Sequence, residues 1–186
     1  VGSEMCIRDR GTVGAGLLKN KDIGLFLLII HYISALLIGI FLPKPKAKIS
    51  ILNTSDDFNL GTELKNSIYN GIEAIVLVGG YIIFFSIICT ILQTMLINLN
   101  ISKYLRAVLY GILEITNGCK ELTSINKLSL SLISGIIAFG GLSIHSQSIG
   151  YISSTDLSCS KYILSKAVQG ILAFSLCMLL YPLYTQ

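Results

Sequence analysis

The stretch LSLSLISGIIAFGGLSIHSQSIGYISST (residues 128–155) decides how the rest of the chain is read. It carries no charge and exceeds the roughly 20 apolar residues that a helix needs to cross a bilayer. Yet it holds Gly140-Gly141, His145, Gln147 and a run of serines. Hydrocarbon offers such groups no hydrogen bonds, so the protein, or something passing through it, must satisfy them.

Outward from this stretch, the composition agrees with a membrane setting. Apolar residues make up 53% of the 186 and charged residues 13%, with a mean hydropathy of +0.74. A soluble domain carries roughly a quarter charged residues. The net charge of +4 is spread along the chain, which argues against a nucleic-acid partner. Five cysteines form no CxxC pair, and His31 and His145 lie far apart in sequence. Nothing in this pattern asks for a metal or a cofactor.

Four apolar segments follow one another: Ile23 to Leu42, Ala74 to Ser102, Leu128 to Thr155 and Ala167 to Gln186. They predict an all-α polytopic membrane protein with spans at about 23–42, 74–98, 128–152 and 164–184. Lys44 to Lys48 and Asn53 to Asn59 read as a solvated loop. Thr62 to Glu73 places Leu64, Ile68 and Ile72 at helical offsets, which predicts an interfacial helix feeding the second span. Basic residues divide evenly between the two sides, so orientation is not set.

Residues of about 102–120 predict a re-entrant or interfacial helical hairpin, because they are too few to cross and return. Ser102 is a suitable N-cap for a helix running to about Asn117, with Gly118 as a left-handed stop. On that helix Tyr110, Glu114 and Asn117 share a face. Glu114 stands in the apolar context Val108 to Ile115, where a carboxylate is costly unless paired or wetted. Arg106 or a lysine is the expected partner, with a proton-carrying role as the alternative. Small and polar stripes recur on the spans: Gly79, Ser86, Thr90 and Gln93; Ser134, Ala138, Gly141, His145 and Ser148; Lys166, Gly170, Ala173 and Cys177. Such stripes let helices approach and hydrogen-bond, with or without a ligand.

Val1 to Arg10 (VGSEMCIRDR) matches neither a signal peptide nor a helix start. It resembles translated sequencing-adapter sequence and is set aside, leaving a chain from Gly11 that reads as a fragment.

Gly111-Ile112-Leu113-Glu114-Ile115-Thr116-Asn117-Gly118 and Ser134 to Gln147 (SGIIAFGGLSIHSQ) resemble the signature segments of the YlbJ-type sporulation integral membrane proteins, of the nucleoside-recognition (Gate) domain group. Gly11 to Gly16 and His31 to Leu36 are similar to that family as well. The likeness covers the family's C-terminal half. It implies a multi-span protein of the outer forespore membrane in spore-forming bacteria, linked to movement of dipicolinic acid. The architecture it implies is similar to half of a concentrative nucleoside transporter, in which a hairpin and a broken helix meet at the binding site.

On that resemblance the expected substrate-binding residues are Glu114, Thr116, Asn117 and Gly118 from the hairpin, and Gly140, Gly141, Ser143, His145 and Gln147 from the broken span. Lys161 and Lys166 are candidate cations for an anionic solute. The partners implied are lipid, a small polar or anionic solute, the N-terminal half of the same protein and further copies of the chain. A nucleoside-type solute and a non-transporting sporulation scaffold are the alternatives. Hydrolytic chemistry is not expected: Ser143 and His145 are two apart, on different faces of a helix, and no GxSxG occurs.

Overall fold

The computed structural model describes residues 20–41, 59–153 and 158–184, which form seven helices. The N-terminal decamer, the Gly11 to Gly16 segment, the Lys44 to Lys48 loop and most of the 153–160 loop lie outside the described residues. Helix α1 (Lys21–Phe41) starts at Asn20, whose Oδ1 accepts the N–H groups of Asp22 and Ile23 at 3.0 and 3.4 Å. It buries Ile23, Leu27, Ile30, His31 and Ser34, a single stripe at helical spacing. The opposite side presents Leu25, Ile29, Leu36 and Ile40.

Helix α2 (Leu60–Leu96) runs 37 residues without a break, about 55 Å at 1.5 Å per residue. The separate interfacial helix expected over 62–73 is therefore not formed. Asn59 caps the whole element through Gly61 and Thr62. No proline interrupts the run, and Gly71 meets nothing within 4 Å that would force a bend. The amphipathic stretch simply extends the span outward.

A short hairpin comes next. Helix α3 (Lys103–Leu113) is capped by Ser102, whose Oγ accepts Leu105 N–H at 3.3 Å, as its sequence predicts. The helix stops earlier than expected. Glu114 is extended (φ −147°, ψ 126°), and α4 (Ile115–Lys120) begins directly after it. Gly118 is therefore not a left-handed stop: it lies inside α4, folded back against α3. A Cβ there would overlap Gly111 Cα and sit 2.7 Å from Ala107 O. Arg106 Nε donates to Glu121 Oε2 at 3.1 Å, and Lys103 Nζ to Ser124 Oγ at 3.2 Å, closing the open end. Charged groups hold the mouth of this re-entrant hairpin; its tip, Glu114, is buried.

Helices α5 (Lys127–Phe139) and α6 (Gly141–Ile152) form one apolar span with a break at Gly140. Asn126 caps α5 by accepting Ser129 N–H at 2.8 Å. Helix α7 (Cys159–Tyr184) completes the bundle and pairs most extensively with α5. Gly135 and Gly170 let those two helices touch: a Cβ on either would lie 3.1–3.2 Å from the other's carbonyl oxygen. Ser134 Oγ donates across to Ala173 O at 3.3 Å.

Four helical segments are long and apolar enough to cross a membrane. The broken one is central, with 67% of its apolar window buried against 28% or less in the other three. The surface is apolar, while His31, Ser34, Glu114, His145, Gln147 and Gln169 are buried. That inversion fits lipid as the surrounding solvent.

Replacing Gly118 with Ala is expected to cost about 1–3 kcal/mol by forcing α4 off α3. Gly79→Ala on α2, where the new methyl meets nothing within 4 Å, is expected to be neutral or slightly stabilising. Unfolding of the detergent-solubilised protein checks both, and equal stability of the two variants contradicts the packing assigned to Gly118.

Candidate functional site

Two interrupted helices meet at one place. Gly140 (φ 101°) and Gly141 (φ 62°) both take positive φ, a conformation that L side chains adopt only with strain. Gly140 N–H closes α5 by donating to Ile136 O at 3.0 Å. A Cβ on Gly141 would lie 3.1–3.5 Å from the carbonyl oxygens of Gly111, Ile112 and Leu113. The carbonyl end of α3 therefore rests on the start of α6. Partial negative charge there faces partial positive charge, and groups that helix termini leave open in lipid are brought together.

Glu114 is 5% exposed, yet its carboxylate has partners. Oε1 accepts Thr116 N–H at 3.0 Å and Oε2 accepts Asn117 N–H at 2.9 Å, so the side chain caps the helix that it begins. The expected pairing with Arg106 does not occur, because Arg106 is engaged by Glu121 and by Ile101 O at the hairpin mouth. Asn117 Nδ2 donates to Ser86 Oγ on α2 at 3.2 Å, and Cys89 Sγ lies 3.7 Å from Tyr110 O. Thr116 is exposed. Gly118 is fully occupied by packing against α3.

Helix α6 differs. Ser143, His145 and Gln147 are 3%, 1% and 7% exposed. The Ser143 hydroxyl, both His145 ring nitrogens and both Gln147 amide atoms have no hydrogen-bond partner. Ser143 and Gln147, one turn apart, share a face; His145 points the other way. There its ring meets Phe139 edge-on at 4.7 Å between centroids and Tyr162 at 5.6 Å. A buried polar group without a partner costs about 1–3 kcal/mol. Three on two turns of helix demand an occupant.

The candidate lysines separate. Lys161, near the start of α7, is exposed. Lys166, a turn further in, donates from Nζ to Gln169 Oε1 at 3.0 Å, and Gln169 Nε2 lies 3.4 Å from His31 Nε2 on α1. Sequence reading missed Gln169 and left His31 without a role. The signal was present: Gln169 stands four residues before Ala173 and eight before Cys177, both on the small-residue stripe that faces α5.

A cleft of about 340 Å³ opens between α3, α5 and α7, floored by Gly111, Gly135 and Gly170. Its walls are apolar and include Ile112 and Phe139, but none of the polar candidates.

Together these features define a polytopic α-helical integral membrane protein in which a hairpin tip is set against a broken span. The chain is similar to the sporulation integral membrane protein YlbJ of Bacillus subtilis (strain 168). The two are 26% identical over an alignment of 215 residues that covers 94% of this chain and 53% of that protein. The resemblance read from residues 111–118 and 134–147 is thereby shown. The chain spans about half the length of this relative. No protein-family profile and no solved structure matches it.

Loss of the cap separates structural from chemical roles for Glu114. Glu114→Ala is expected to lower stability by about 1–2 kcal/mol, and Glu114→Gln, which keeps one acceptor, by less. Chemical or thermal unfolding in detergent checks this; an alanine variant as stable as the parent removes the capping assignment.

Proposed function

We propose that this chain is half of a transporter-like membrane protein of endospore formation, moving a small polar anion such as dipicolinic acid across the outer forespore membrane. One observation carries the reading: Ser143, His145 and Gln147 are buried without partners on the helix that follows a double-glycine break. Transport sites lie where discontinuous helices expose polar groups near the membrane midplane. A hydroxyl, an amide and an imidazole can donate to carboxylate oxygens or to a ring nitrogen. The printed name of the similar Bacillus protein supports sporulation as the setting.

Two further readings have observations behind them. A nucleoside-type solute suits the same amide and hydroxyl groups, and it needs no cation. A non-transporting scaffold accounts for the interhelical bonds of Ser134 with Ala173 and of Asn117 with Ser86. It does not account for α6, where polar groups are carried inside and left unpaired.

The test uses the full-length protein in a spore-forming host. His145→Ala and Gln147→Ala are expected to remove most spore dipicolinate while the protein stays in the membrane. Uptake into liposomes by the purified protein, comparing dipicolinate with nucleosides, separates the two solute classes. The near-isosteric Gln147→Leu is expected to gain about 1 kcal/mol or more of stability while losing uptake, because it removes unsatisfied groups. Normal dipicolinate content in both alanine variants overturns the proposal.

A further inference from the structure

Tyr162, Lys166 and Gln169 are spaced by four and three residues, so they share one face of α7. Their contacts form a track from α6 to α1. At one end Tyr162 stands edge-on to His145, whose ring nitrogens are buried and unpartnered. Lys166, one turn along, lies within electrostatic range of the same histidine. At the other end Gln169 reaches His31. Gln169 and His31 are 5% and 7% exposed.

The ammonium orients the whole track. Lys166 is donor-only, so the atom of Gln169 that it touches is the carbonyl oxygen. The amide nitrogen is then the group turned toward His31, and His31 Nε2 receives the bond as an unprotonated nitrogen. In this contact Lys166 meets a neutral amide, which holds its position without cancelling its charge. Depth matters as well. Lys166 lies about 10 Å along α7 from Cys159 at 1.5 Å per residue, and Gln169 about 15 Å. His31 stands halfway along α1. Headgroup contact explains Lys161 at the helix start, but it does not explain a lysine tied inward to a buried glutamine.

We infer that Lys166, with His145 and Tyr162 beside it, forms the subsite for a carboxylate of the solute, and that Gln169 and His31 are positioning residues that keep the ammonium inside the bundle. The inference rests on the transport reading and adds the side chain that meets the solute's charge. The unpartnered imidazole supplies a neighbouring donor, and the aromatic edges of Phe139 and Tyr162, which carry partial positive charge, suit an anion.

Equilibrium binding to the full-length protein in nanodiscs tests it, with pyridine-2,6-dicarboxylate as the anionic probe and uridine as the neutral one. Lys166→Gln and Gln169→Glu are each expected to weaken dicarboxylate binding about tenfold or more. Lys166→Arg keeps the charge and stays close to the parent. Gln169→Glu is the decisive variant. It preserves shape and the contact with Lys166 but neutralises the charge, so a merely structural lysine tolerates it. If Lys166→Gln does not survive purification, Gln169→Glu decides alone. Parental dicarboxylate affinity in Gln169→Glu overturns the inference and leaves the transport reading in place. A parent protein that binds neither probe removes both, and one that binds uridine alone removes the anion subsite in favour of the nucleoside reading. Displacement of the dicarboxylate by phosphatidylglycerol in the nanodisc assigns Lys166 to a lipid phosphate and likewise overturns the solute subsite.

Discussion

A helix that breaks inside hydrocarbon must find partners for the backbone groups it frees. This chain breaks two helices and sets the broken ends against each other. The last carbonyls of α3 lie on Gly141, and the first amides of α4 are taken by the Glu114 carboxylate. Neither interruption is tolerable alone. The glycine pair gives α5 and α6 their change of direction, and the hairpin tip fills the space that opens. Much of the remaining packing preserves this meeting.

The close approaches follow from it. Gly118 against Gly111 folds the hairpin tightly enough to enter between spans, and Gly135 against Gly170 draws α7 onto α5. Without a hydrophobic driving force between helices in lipid, such contacts and a few interhelical hydrogen bonds carry the association. The serines of α5 belong to this class. Ser134 is bonded to Ala173 O, while Ser131 donates to Lys127 O and lies 3.7 Å from Met178 Sδ. Past the break the pattern changes, and the polar groups of α6 are as well buried but unmatched.

Much of this was legible in the residues. Apolar run lengths locate the membrane helices, Ser102 marks the start of the hairpin, and Gly140-Gly141 marks the break. The failures are local contests that spacing cannot decide. Gly118 reads as a stop because glycine suits a left-handed cap, but here its missing side chain is used for close approach. Glu114 reads as half of an ion pair because Arg106 is eight residues away, yet its own following amides are nearer and satisfy both oxygens. Helix α2 reads as two elements because its composition shifts near Glu73, whereas a helix continues unless its backbone is interrupted. The Gln169–His31 contact joins residues 138 positions apart, and no local pattern encodes it.

The residues that satisfy α6 are constrained by where its polar atoms point. Ser143 and Gln147 share one face, and a further part of the protein can lie along it. His145 faces the other way, into contact with Phe139 and Tyr162. That side is already closed by helices of this half, leaving 1% of the residue exposed. A neighbouring helix is too large to reach those ring nitrogens. Water or a small solute group is not, provided that the start of α6 can shift to admit it. The two positive-φ glycines stand where that motion is needed, next to the histidine: a Cβ on Gly140 would come within 3.9 Å of His145 Cε1. The break that the hairpin stabilises is thus also the joint nearest to the least satisfied group in the bundle.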